Sequence, residues 1–375
     1  MGTPSRKKPS RSAIRYAVVG LGHIAQVAVL PAFKHARHST LAGLVSRSPE
    51  KLKKLAKKYG VRNAWSYEQY DDCLHSGSID AVYIALPNDM HREYTIRAAQ
   101  AGVHTLCEKP LAVTRRDCEE MIRAAQKNHV KLMTAYRLHN EETNLCASEL
   151  VASGKLGDAR YFNSCFSFQV TDLDNIRLKR KRGGGTLYDI GIYCLNAARY
   201  IFRAEPTEVF AFSANNGEKR FREIDEMTTV VTRFPGERLA TFTSSFGAGD
   251  VDYYEVVGTK GSLRVEPAFE YVGGLSHTLK IGEKEQEKTF AARDQFGAEI
   301  SYFSDCILKN REPEPSGMEG LIDVQIIEAL YQSARTREPV KLPKFPRKSR
   351  PSLEQEIKLP PVKKPEVFKA ESAHD

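Results

Sequence analysis

The stretch Tyr16-Ala17-Val18-Val19-Gly20-Leu21-Gly22-His23-Ile24-Ala25 decides how the first half of the chain reads. Four residues of strand character run into two glycines spaced two apart, and a helical period follows. Glycine at both positions lets the backbone turn sharply and come close to a pyrophosphate, while the helix start offers free N–H groups and a partial positive charge. Ala25 stands where a third glycine is common and still allows close helix–strand packing. A pair of glycines alone is also what a tight turn needs. The setting between the first strand and first helix of a βαβ unit favours dinucleotide binding, with Gly20, Gly22, His23 and Ile24 as candidate contacts.

Outward from this motif, short β-branched runs alternate with longer helical periods. Residues 16–19, 41–45, 81–86, 104–107 and 131–135 read as buried strands, and 24–36, 49–59, 67–75, 90–101 and 114–129 as helices. Alternation of this kind specifies a parallel sheet with helices on both faces. Pro31 predicts a kink or an early end in the first helix.

After residue 139 the rhythm changes. Helices are expected over 141–153, 187–202, 296–309 and 321–336, and strands over 159–169, 208–213, 227–234, 238–246, 253–258 and 263–266. The turn chemistry of Phe234-Pro-Gly-Glu237 and Gly258-Thr-Lys-Gly261 joins neighbouring strands antiparallel. The fold class is therefore α/β: an N-terminal Rossmann dinucleotide-binding domain (1–138) plus a C-terminal α+β domain with an open, mostly antiparallel sheet (139–342). A Pro- and Lys-rich extended tail (343–375) follows, draped over the body or a partner subunit.

With 375 residues, 41% hydrophobic and 27% charged, the composition is that of a soluble globular protein. The seven cysteines are never closer than 11 residues and the histidines lack ligand spacing, so reduced packed thiols and no metal site are expected. The longest apolar stretch, 17–33, is interrupted by His23, Gln26, two glycines and Pro31 and cannot span a membrane. The basic N-terminus lacks the apolar centre of an export signal. The expected location is cytoplasmic, or periplasmic had a leader been removed. The net charge of +9 is gathered in the N-terminus, in the run 177–182 and in the tail, without interleaved aromatics. This reads as solvated surface and an anionic small molecule, with no nucleic acid partner.

Four further stretches carry candidate chemistry. Ser46-Arg47-Ser48-Pro49-Glu50-Lys51 lies where an NAD enzyme places a carboxylate for the ribose 2′-hydroxyl. Here Ser46, Arg47, Ser48 and Lys51 supply hydroxyls and positive charge instead, which suits the 2′-phosphate of NADP; the competing reading is a capped helix start at Ser48. The strand end Ala85-Leu-Pro87-Asn88-Asp-Met-His91 breaks where ligands bind in such sheets, making Leu86, Asn88 and His91 candidate contacts. Glu108-Lys109-Pro110 ends another strand on the same rim. Adjacent charges are costly to bury unless paired or used, so Lys109 is a candidate for contacting the nicotinamide ribose and a substrate hydroxyl, with Glu108 on the cofactor side; a structural ion pair is the alternative. In Gly183-Gly-Gly-Thr-Leu-Tyr-Asp189-Ile-Gly-Ile-Tyr193, Asp189 and Tyr193 are four apart and share a helix face.

Together these motifs resemble the glucose-fructose oxidoreductase/inositol dehydrogenase (Gfo/Idh/MocA) family over roughly residues 15–342. The most specific elements are Glu108-Lys109-Pro110 and Gly183-Gly-Gly…Asp189-Ile-Gly-Ile-Tyr193, joined by Tyr136-Arg137-Leu-His139. Tyr193, where inositol dehydrogenase-like members carry histidine, points to the sugar-oxidising, NADP-using branch. The resemblance implies a catalytic group of Lys109, Asp189 and Tyr193, and Arg137 near the cofactor or substrate. It also implies a homodimer or homotetramer through the C-terminal sheet, which agrees with the need of an open sheet for a second cover.

The expected reaction is NADP-dependent oxidation of a cyclic aldose to its lactone. A phenol ordinarily titrates at about 10, so Tyr193 needs the Lys109 cation to act as base, with Asp189 orienting the lysine or the sugar. The cofactor is either retained and recycled by a second sugar or freely exchanged, as in an aldose or dihydrodiol dehydrogenase. A non-catalytic NADP-binding regulator is a third reading, which the presence of both Lys109 and Tyr193 disfavours.

Overall fold

The computed structural model describes residues 12–346, 349–370 and 372. The basic stretch before residue 12, on which the absence of an export signal was read, lies outside the described residues.

Six strands form the first sheet: β1 (Ile14–Val19), β2 (Ser39–Val45), β3 (Asn63–Trp65), β4 (Ala81–Ile84), β5 (His104–Glu108) and β6 (Leu132–Ala135). They run parallel in the order β3-β2-β1-β4-β5-β6. The order reverses between β1 and β4, which opens a crevice at their carboxyl ends. β4 and β6 are buried along their whole length, as their unbroken apolar runs require in a sheet covered on both faces. The three residues of β3 are too few to show a period, and the sequence reading omits them.

The first helix winds through Ala25–Val29 with wider i→i+5 spacing and ends after one α turn, Leu30–Ala32, with Pro31 in its first turn. The early end expected from Pro31 is there. The helix Pro49–Tyr59 starts on Ser48, whose side chain accepts from the Lys51 N–H, and stops at Gly60 with φ +66°. A left-handed φ of this kind carries no penalty for glycine.

The second sheet has nine strands: β7 (Ala159–Ser167), β8 (Glu208–Ala214), β9 (Met227–Phe234), β10 (Arg238–Ser245), β11 (Val251–Gly258), β12 (Gly261–Val265), β13 (Leu275–Ile281), β14 (Lys284–Phe290) and β15 (Val340–Lys341). Their order is β14-β13-β12-β11-β7-β10-β9-β8-β15, and only the β7–β10 pair is parallel. The sequence reading omits β13 and β14; β14 is exposed at six of its seven residues and has no apolar face to reveal it. Leu187, Ile192, Leu195 and Ile201 pack the inner face against Phe162, Val230, Phe242 and Val256.

The helix Gln295–Leu308, assigned from sequence to the second domain, belongs to the core of the first sheet. Phe296, Ile300, Phe303 and Cys306 pack with Tyr16, Val18, Tyr83 and Leu106, and the Tyr16 hydroxyl lies 2.8 Å from Ser304 Oγ. A division at residue 138 separates this helix from the surface it covers. Among the described residues no helix is long and apolar enough to cross a membrane.

Candidate functional site

A cleft of about 960 Å³ opens at the carboxyl ends of β1, β4 and β5 and is lined from both halves of the chain. Its floor follows from the glycines. Gly20 has φ +94°, and a Cβ there would sit 2.5 Å from the Ala85 carbonyl oxygen. Only glycine meets both conditions. At Gly22 a Cβ would meet nothing within 4 Å, which leaves open space beside the start of the first helix. His23 and Ile24 line the same end.

The end of β2 carries no carboxylate. Ser46, Arg47, Ser48 and Lys51 line the cleft there, the Ser48 N–H donates to Ser46 Oγ (3.3 Å), and the Arg47 guanidinium lies 5.8 Å from the Tyr67 ring centroid. These groups present hydroxyls and positive charge to one end of the crevice, with N–H groups of a capped helix beside them.

Leu86 and Asn88 line the middle of the cleft. The Asn88 amide donates to the Gly183 carbonyl (2.9 Å), and a Cβ at Gly183 would press within 2.8 Å of Asn88 Cβ. The glycine run thus brings the second domain's loop onto the first domain's rim. His91 is a correction to the sequence reading. Its ring is fully buried, with Nδ1 2.9 Å from the Pro110 carbonyl oxygen and Nε2 2.8 Å from that of Leu86. It fastens two rim loops from behind and does not reach the cleft; burial pushes its pKa down.

Lys109, Asp189 and Tyr193 converge in the same cleft. Lys109 Nζ donates to the Asp189 backbone oxygen (2.6 Å) and to Oδ1 (3.2 Å), and lies 4.7 Å from the Tyr193 ring centroid. Asp189 Oδ2 accepts from Arg177 Nε at 2.6 Å. Tyr193 also meets the Arg137 guanidinium at 5.1 Å, and Phe166 and Phe269 flank it at 5.9 and 5.8 Å. Arg137 is held by the Gln295 side chain and the Phe269 carbonyl. The Tyr193 ring therefore packs against two fixed cations in an aromatic frame.

Electrostatics separate the carboxylates. Burial works to raise Asp189, yet Arg177 and Lys109 hold it well below the usual carboxylate range. Burial raises Glu108 despite the neighbouring Lys109. The Tyr83 hydroxyl lies 2.9 Å from both Glu108 and Glu299, and burial with the Glu108 charge pushes Glu299 well above its ordinary value. Burial also works against the Lys109 ammonium, but Tyr193, Asp189 and Glu108 more than offset it and the net shift is upward.

Sequence reasoning missed Arg177, which it counted among solvated charges; the only signal was its position just ahead of the glycine run. Arg182, Tyr271, Phe166 and Phe168 also line the cleft and carried no motif. Among the described residues no group of three or more His, Cys, Asp or Glu is placed to hold a metal ion.

Residues 14–136 match the model of an oxidoreductase family with an NAD-binding Rossmann fold, and residues 145–264 match the GFO/IDH/MocA C-terminal domain. The chain belongs to the GFO/IDH/MocA oxidoreductase family. It is 32% identical to the D-xylose 1-dehydrogenase [NADP(+)] of Haloarcula marismortui over 88% of this chain and 93% of that protein. The crystal structure of aldose-aldose oxidoreductase from Caulobacter crescentus, complexed with glycerol, is 39% identical and superposes with a TM-score of 0.85. The match covers 88% of this chain and all of that one. A 3-ketoreductase from Actinomadura kijaniata, solved with NADP and TDP-benzene, is 24% identical over 86% of this chain and 98% of that one; its TM-score of 0.79 speaks to the fold.

Proposed function

We propose that this GFO/IDH/MocA member is an NADP-dependent oxidoreductase that converts a cyclic aldose to its lactone and keeps its nucleotide between half-reactions, a second sugar returning it to the starting redox state. The observation that carries the reading is the meeting of Lys109, Asp189 and Tyr193 in one cleft with the glycine turn. The residues fit NADP: Gly22 leaves room for a pyrophosphate, and Ser46, Arg47, Ser48 and Lys51 suit a 2′-phosphate. When bound, the nicotinamide supplies a hydride acceptor. Tyr193, with the Lys109 ammonium and the Arg137 guanidinium against its ring, takes the proton of the sugar hydroxyl. Asp189, fixed by Arg177, orients the lysine.

The name of the 39% identical neighbour, an aldose-aldose oxidoreductase, supports the internal redox cycle. The NADP-linked D-xylose dehydrogenase relative supports a freely exchanging dehydrogenase. One experiment separates them: the purified protein is scanned and weighed for co-purifying nucleotide, then given an aldose with and without added NADP. Bound NADP that an aldose reduces in place, and that a second aldose reoxidises, carries the cycle. Net accumulation of free NADPH carries the dehydrogenase, and no redox response across a sugar panel defeats both.

The C-terminal sheet supports a homodimer or homotetramer. Its outer face leaves Tyr161, Phe212, Val231, Leu239 and Val251 exposed, a spread of apolar side chains of the kind that marks an interface. A monomer by sedimentation at micromolar concentration would refute this assembly.

A further inference from the structure

The C-terminal segment does not end on the domain it leaves. It passes under Asp294, whose N–H donates to the Leu359 carbonyl (3.3 Å) with Leu359 buried, and continues across the nucleotide-binding sheet. There Phe368 is clamped at both backbone groups by one buried side chain. Its N–H donates to Gln26 Oε1 (2.8 Å), and its carbonyl accepts from Gln26 Nε2 (3.0 Å). The same Gln26 amide nitrogen donates to the carbonyl of Leu21 (3.0 Å), inside the glycine turn. One side chain therefore ties the tail to the loop that cradles a pyrophosphate.

Two lysines of the helix Pro49–Tyr59 add to the hold. Lys54 Nζ lies 4.0 Å from the Phe368 ring centroid, and Lys58 Nζ donates to the Glu366 carbonyl (3.4 Å). Lys369 pairs with Glu50, next to Lys51 and two residues past Ser48. As a result Lys364, Lys369, Ala370 and Ser372 line the same cleft as Ser46, Arg47 and Ser48. Among the described residues Lys364 has no ion-pair partner.

We propose that residues 364–370 and Ser372 are part of the nucleotide site: a strap fastened to Gln26 that closes the 2′-phosphate end of the cleft and adds the Lys364 charge to it. This rests on the NADP reading above and deepens it, because release of the nucleotide then requires the strap to detach. Retention between half-reactions gains a structural cause, and the Lys364 cation favours a 2′-phosphate over a 2′-hydroxyl.

The test uses full-length protein loaded with NADPH, a chain ending at residue 360, and the point variants Phe368→Ala and Lys364→Gln. Release is followed by loss of NADPH fluorescence on chasing with excess NADP. Deleting the strap is expected to speed release by about tenfold to a hundredfold, the loss of three hydrogen bonds at Glu366 and Phe368, one exposed ion pair and one cation–π contact. Phe368→Ala falls between, and Lys364→Gln narrows the preference for NADP over NAD. Release rates within about twofold of the full chain in both the truncation and Phe368→Ala overturn the proposal. If the truncated chain lacks a cooperative melt, an unchanged rate in Phe368→Ala alone overturns it. Failure of the full chain to bind NADP instead overturns the functional reading on which the strap depends.

Discussion

Replacing Lys109 by methionine keeps most of the side-chain volume and removes one charge from the cleft. The ammonium lies 4.7 Å from the Tyr193 ring centroid. Losing one fixed charge from the reacting centre of an enzyme costs about 2.7–4 kcal/mol, or about 100- to 1,000-fold in rate. The loss is bounded because Arg137 stays at 5.1 Å. A residual rate, reduced by that factor, is therefore expected. The assay is single-turnover oxidation of an aldose by NADP-loaded protein, with a thermal melt and nucleotide content as controls, since Asp189 loses one of its two cationic partners. A folded, loaded variant reacting within about fivefold of the parent would mean that the lysine charge does not act on the phenol.

Arg47→Ala is expected to lower the NADP-over-NAD affinity ratio by about tenfold to a hundredfold, the worth of charge-assisted bonds to a phosphate; titration with both nucleotides reads it, and an unchanged ratio puts the 2′-phosphate elsewhere. Gly20→Ala places a methyl 2.5 Å from the Ala85 oxygen at φ +94° and should lower stability by at least about 1–2 kcal/mol in urea unfolding. Gly22→Ala, which meets no atom within 4 Å, should keep stability and weaken nucleotide binding. His139 bonds Glu314 at Nδ1 (2.9 Å) and Asn196 Oδ1 at Nε2 (2.7 Å); burial opposes its protonation, but Glu314 prevails and its pKa is raised. A group raised in the folded state stabilises fully below its unfolded value of about 6.5, and that stability is lost as pH rises through the folded value. The melting temperature should fall on the alkaline side of that window. His139→Gln should remove the slope and cost about 2 kcal/mol, the worth of a buried hydrogen bond to a charged group.

What was legible in the sequence is what local chemistry dictates. The turn at Gly20 could be read because no other residue meets that backbone and that clearance, and Lys109 because a charged pair at the end of a buried strand needs a purpose. The sequence also placed Asp189 and Tyr193 on one helix face. Contacts set by the return path of the chain were not legible. Arg177 looks like one member of a basic run until the glycines that follow it fold the loop onto Asp189. His91 looks available until both its nitrogens prove to be taken by loop carbonyls. The helix Gln295–Leu308 has an apolar face that says it must be covered, but nothing in its period says which of two sheets will cover it. β14 pairs through its backbone alone, and its side chains record no face.

The charge pattern of the cleft bears on which group takes the proton in the proposed oxidation. Asp189 is the carboxylate nearest the lysine, yet two cations hold it ionised well below the usual range, and a carboxylate so stabilised is a poor base near neutrality. Glu108, which also lines the cleft, is shifted the other way, but it shares the Tyr83 hydroxyl with Glu299, so its basicity is spent within a buried pair. Among the described residues no carboxylate bonds Tyr193, and the guanidinium of Arg137 and the ammonium of Lys109 both lie against its ring. In the proposed reaction the phenolate accepts the sugar hydroxyl proton during oxidation, and the phenol returns it during reduction. In the proposed cycle, which oxidises one sugar and reduces the next, the same side chain serves both half-reactions without a change in the fold.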